Sequence, residues 1–187
     1  MWERFFDRVL KTPTNWRKAE ERESLMNSSS ARPGMQILPP RRILATPKAT
    51  CTNGAIKDIP GEQDRRAMAL TEIDFGAINF ENCFSKEDGL VISGEEKLRR
   101  LRDGRNILLG ASAFLALWNE WEHQTLEALY QQRGTSVFEF FGNILEDQGG
   151  SRFVLCLFRA ENRKWRWGYL WMGKRRSAEH LALTITA

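Results

Sequence analysis

No proline lies beyond Pro60; all six fall in the first third of a 187-residue chain. Proline removes a backbone donor and restricts the residue before it, so regular structure is penalised early and unhindered later. Histidine is scarce. Only His123 and His180 occur, and neither has a cysteine or carboxylate at metal-ligand spacing, so no metal site is nominated. The three cysteines, Cys51, Cys83 and Cys156, contain no CxxC pair and are odd in number. They read as free thiols of a reducing compartment. GxxxxGK(S/T), GxGxxG and GxSxG are all missing, which leaves no sequence-local phosphate cradle, dinucleotide turn or nucleophile elbow. No catalytic residue and no cofactor is nominated. Long apolar runs are missing too: residues 107–118 reach about half the length that spans a bilayer. Four charges in the first eight residues (MWERFFDR) do not make a signal peptide. These absences describe a soluble, cytoplasmic chain with no membrane span and no enzymatic signature.

Charge is plentiful, and its distribution is uneven. Residues 1–67 carry 13 basic and 8 acidic side chains, residues 68–150 carry 7 and 14, and residues 151–187 carry 8 and 2. An acidic middle and a basic end can neutralise each other within one fold, or the basic end can face an anionic partner.

The early part divides in two. Trp2, Phe5, Phe6, Val9 and Leu10 follow the spacing of one helical face, so residues 1–12 read as a short amphipathic helix. It is too short to be stable alone, and a protein partner docked on Trp2, Phe5, Phe6 and Val9 would supply the missing surface. Residues 13–67 read as a basic, Pro/Ser-rich linker, largely disordered, with Ser28, Ser29 and Ser30 followed by Pro-Gly and Pro-Pro pairs. Met35 and Met68 offer alternative starts.

A single α+β domain is expected over residues 68–187. Ile73, Phe75 and Ala77 alternate weakly, with Gly76 breaking the pattern. Ser93-Gly-Glu-Glu96 has capping-box spacing and predicts a helix that stops at Gly104. Phe114, Leu117, Trp118 and Trp121 share one face of a second helix, which continues to Gly134 with a break near Thr125. Ser136-Val-Phe-Glu139 repeats the capping-box spacing before an apolar run, predicting a third, deeply buried helix that ends at residues 147–150. Three strands then follow: 153–158, 165–172 and 181–185. The expected fold is about three helices followed by a three-stranded antiparallel meander, behind a disordered tail.

The strongest functional signal is the second of those strands. Trp165, Trp167, Tyr169 and Trp171 occupy alternate positions and so share one face. Such rings are either core, each burying roughly 150–250 Å², or a platform on which bases stack. Arg163, Lys164, Arg166, Lys174, Arg175 and Arg176 surround them and would contact phosphates as a basic rim. The sequence therefore points to a small binding protein with nucleic acid as its candidate ligand. The other reading is an assembly factor that docks through its N-terminal helix and uses the rings only as core.

Overall fold

The computed structural model describes residues 42–187. Eleven strands dominate this part: β1 (Arg42–Leu44), β2 (Ile56–Gln63), β3 (Glu72–Asp74), β4 (Ile78–Glu81), β5 (Ile92–Ser93), β6 (Ile107–Leu108), β7 (Val137–Asp147), β8 (Arg152–Arg159), β9 (Trp165–Trp171), β10 (Arg175–Arg176) and β11 (His180–Ile185). The helices are α1 (Arg65–Met68), α2 (Gly94–Asp103), α3 (Ala111–Trp118) and α4 (Gln124–Arg133), with a 3₁₀ turn at Trp121–His123. The fold is therefore mostly β, not the three-helix-plus-meander arrangement that the sequence predicts.

Three corrections carry this difference. The run expected as a third helix is β7, the longest strand. Its apolar residues face both ways because both sides of the strand are covered, and periodicity cannot separate a buried helix from a doubly covered strand. Glu139 is a rung of that strand and caps nothing. Secondly, β11 does not extend a meander. It crosses to the far side of β7 and pairs with it in parallel, His180 opposite Val137 and Ala182 opposite Glu139. Thirdly, residues 42–67, read as linker, supply β1, β2 and all of α1 but its last residue, Met68. Pro60 sits inside β2, where the ladder to β7 shifts register between Asp58 and Gln63, the irregularity that tolerates a proline.

The main sheet has seven strands in the order β4-β11-β7-β8-β9, with β2 also on β7 and β6 also on β11. β7 serves two sets of neighbours by bending. Its first half lies between β11 and β8, and its second half lies between β8 and β2. At the bend the β8 register jumps from Phe140 opposite Leu155 to Leu145 opposite Phe153. Gly142 sits in the bend, where its N–H donates to the Leu109 carbonyl (2.8 Å) and its carbonyl accepts from the Asp64 N–H (2.9 Å). A side chain there would collide with the Leu108 carbonyl and the Gly110 backbone, so the bend requires glycine. Next to it, Asn143 accepts the Ala111 N–H (2.9 Å) at the start of α3 and donates to Asp58 (2.9 Å).

Both faces of the sheet are covered. Phe138, Phe140, Leu155, Leu157 and Trp165 pack with Phe114 and Leu117 of α3 and Leu126 and Leu129 of α4. Phe141, Ile144, Val154, Met172 and Ala182 pack on the other side with Leu98 and Leu101 of α2. Two local motifs follow the spacing predictions. Ser93 Oγ accepts the Glu96 N–H (3.1 Å) to start α2, and Gly134 ends α4 in the left-handed conformation (φ 67°). The break in the second helical run falls at residues 119–123, where Glu122 and His123 take positive φ and the Glu120 carboxylate accepts the Thr125 N–H (2.7 Å). Among the described residues no helix is long and apolar enough to cross a membrane.

Candidate functional site

Three rings of the aromatic row are structural. Trp165 is 7 % exposed, stacks on Phe138 at 5.8 Å and donates from Nε1 to Glu127 (2.8 Å). Half-buried Trp167 meets Phe114 edge-on at 5.6 Å. The Tyr169 hydroxyl donates to the Cys51 carbonyl (3.0 Å). Trp171, the last ring, is different: it is 52 % exposed. It lies back against Gly173, where any side chain would strike the indole.

The expected basic rim divides. Arg163 and Lys164 are exposed in the β8–β9 turn, with Arg166 exposed close by. Lys174 and Arg175 are exposed beyond the other end of β9. Arg166 and Trp171 stand five residues apart along β9, about 17 Å at roughly 3.3 Å per residue, with Arg163 and Lys164 farther still. Only the second group stands beside an open ring. Arg176 departs from the expectation: it is 0 % exposed and cannot reach a ligand. The partner-docking residues Trp2, Phe5, Phe6 and Val9 lie outside the described residues.

Arg176 belongs instead to a buried ion cluster under the Trp171–Arg175 turn. Its Nε donates to Glu139 Oε1 (2.7 Å). One terminal nitrogen donates to three carbonyls of the turn: Trp171 (3.2 Å), Met172 (3.4 Å) and Lys174 (2.6 Å). Lys97 of α2 donates to Glu139 Oε2 (2.8 Å) and to the His180 carbonyl (2.6 Å). The side chains of Lys97, Glu139 and Arg176 are all 0 % exposed. Gly94, at the start of α2, makes the space: a Cβ there would lie inside the Arg176 guanidinium. The Phe141 ring lies near both cations, 5.6 Å from Lys97 Nζ and 6.0 Å from the guanidinium carbon.

Burial and pairing pull this cluster in opposite directions. Burial alone would raise the Glu139 carboxyl, but the His180 imidazole (3.7 Å from Oε1), Lys97 and Arg176 together hold it well below the usual carboxylate range. At Lys97 burial prevails, and the ammonium is pushed down despite Glu139. The charge count explains the asymmetry. Arg176 already neutralises Glu139, so Lys97 is a second cation without its own counter-ion.

The remaining reactive groups are subdued. Burial pushes the Cys51 and Cys156 thiols up to about 12 and Cys83 to about 11, so thiolate is scarce at neutral pH. The His123 ring stacks on Trp118 at 4.7 Å. Among the described residues no group of three or more His, Cys, Asp and Glu side chains could hold a metal ion. Most of the basic residues on α2 are already paired: Arg99 with Glu96 and Asp103, Arg100 with Asp88 and Glu96, and Arg102 with Glu62.

Sequence reasoning did not find Lys97, Glu139 or Gly94. Lys97 looks like one of several cations on a polar helix face, and Glu139 reads as a cap. Only a three-dimensional register places them opposite Arg176. Comparison with protein-family models, curated proteins and solved structures finds no match for this chain.

Proposed function

We propose that this chain is a binding protein that takes single-stranded nucleic acid at the Trp171–Arg175 turn. The observation that carries this reading is the exposed Trp171 ring beside exposed Lys174 and Arg175. An open indole stacks on an unpaired base, worth roughly 1–3 kcal/mol. The two flanking cations contact phosphate and release counter-ions. Arg163, Lys164 and Arg166, about 17 Å or more from Trp171 along β9, extend the positive field along the strand without sharing the stacking site. The subdued thiols and the paired charges on α2 favour binding over catalysis.

Titration of the full chain with a fluorescent single-stranded oligonucleotide at two salt concentrations tests the proposal. Binding should quench tryptophan emission and weaken steeply with salt. Trp171→Ala should lower affinity by roughly tenfold or more, the equivalent of one lost stack. Lys174→Gln or Arg175→Gln should reduce the salt slope by about 0.7 per charge. No binding at low salt would reject the reading.

A further inference from the structure

The turn that carries Trp171, Lys174 and Arg175 is short and glycine-containing, and the Lys174 N–H donates to the Trp171 carbonyl (3.1 Å) across it. A two-stranded β10–β5 pairing of Arg175 with Ser93 and Arg176 with Ile92 flanks it. So small a ribbon is marginal by itself. Three of the turn's carbonyls converge on one Arg176 nitrogen, and the same guanidinium is held by Glu139 from the centre of the sheet. Lys97 fixes the other carboxylate oxygen and ties it to α2. The chain of contacts thus runs from helix and sheet, through one carboxylate, into the backbone of an exposed turn.

We infer that Glu139, Arg176 and Lys97 are positioning residues that hold the Trp171–Arg175 turn ready for its ligand, an inference that builds on the nucleic-acid reading. A planar guanidinium can bond several carbonyls and a carboxylate at once, which a lysine ammonium cannot match in geometry. With the turn held, Trp171, Lys174 and Arg175 lose less freedom on binding, so more of their contact energy appears as affinity. Gly94 is part of the device, because only a residue without a side chain lets the guanidinium pass the start of α2. The cluster touches no ligand itself; it acts only through the backbone of the turn.

Amide hydrogen exchange across residues 171–176, combined with oligonucleotide anisotropy, tests this on the full chain, its Arg176→Lys variant and its Gly94→Ala variant. The Lys174 amide of the native protein should exchange as slowly as amides of β8; fast exchange there overturns the inference outright. In each folded variant the turn amides should exchange at least tenfold faster while β7 and β8 amides keep their protection. Affinity should fall by about tenfold with the salt slope unchanged, because Lys174 and Arg175 remain. Uniform loss of protection across the sheet would mean a purely structural role, and unchanged turn protection would mean no clamp. If Arg176→Lys does not fold, Gly94→Ala, which keeps all three charges, carries the comparison. Should the native protein bind no oligonucleotide, the nucleic-acid reading fails, and the exchange data alone decide whether the cluster orders the turn.

Discussion

Two cations and one anion share the space beneath the Trp171–Arg175 turn, and this makes them unequal as targets for substitution. Glu139→Gln leaves Lys97 and Arg176 facing each other without a counter-charge, a situation that costs roughly 3–5 kcal/mol. Lys97→Met instead removes the surplus cation and leaves the Glu139–Arg176 pair intact. All three side chains are fully buried, so burial alone would rank the two substitutions alike. Charge balance ranks them differently: urea denaturation should show Lys97→Met clearly less destabilising than Glu139→Gln. In the double variant, removing Lys97 should recover part of the Glu139→Gln loss. None of this is visible in the sequence, where Lys97 is the first cation of a basic run and Glu139 completes a capping box. The residues that act at Ser93 and Gly134 are legible because caps depend on neighbours three or four positions away. The ion cluster joins residues 97, 139 and 176, and no local pattern reports such a meeting.

At the level of elements, β7 shows where composition misleads. Val137, Phe138, Phe140 and Phe141 are strand formers, yet apolar residues on every side also describe a buried helix. The Gly142-Asn143 pair was the available hint, since neither favours a helix interior. In the structure these two residues make the bend and hold the start of α3. Asn143→Ala should therefore cost about 1–3 kcal/mol, by leaving the Ala111 N–H unpaired in a buried place, and exchange at Ala111 should accelerate with it. Denaturation and exchange together check this: a stability loss with Ala111 still protected would mean that Asn143 is not the cap. The β8–β9 hairpin was legible for the opposite reason. Its alternation, polar turn and short loop are all local. The partner of β11 was not, because the crossing to the far side of β7 is set by which edge the preceding elements leave open.

The molecule as a whole should be most stable in a window bounded by its paired acids and its thiols. Glu139 and Glu62 are held below their ordinary 4.5, and Asp64 below its ordinary 3.8, by ion pairs and hydrogen bonds that overcome the burial opposing them. On acidification the unfolded chain takes up these protons first, so stability falls as pH drops below about 4.5. At the other end, burial raises Cys51 and Cys156 from 9.0 to about 12 and Cys83 to about 11. The unfolded thiols ionise while the folded ones do not, so stability falls as pH rises above about 9. Lys97 acts in the reverse sense, because its depressed ammonium releases its proton in the folded state first. Three thiols outweigh one amine. Urea midpoints measured across pH should thus show a plateau between those limits, and a rise above pH 9 would mean that Lys97 dominates.

The position of β11 has a consequence in time. Its residues bridge β4, about a hundred positions earlier in the chain, to β7, and β6 also pairs with it. Until β11 arrives, β4 and β6 have no strand of the main sheet to pair with, while β7, β8 and β9 can already pair as neighbours and β2 can join β7. Such long loops must close before their contacts repay the entropy, which places refolding toward the slow, millisecond-to-second end of single-domain rates. During that interval the β7 edge that awaits β11 is a row of unpaired N–H and C=O groups on a strand with strongly apolar side chains, open to the same edge of another molecule. Refolding yield should consequently fall with protein concentration, even though the finished sheet leaves that edge covered.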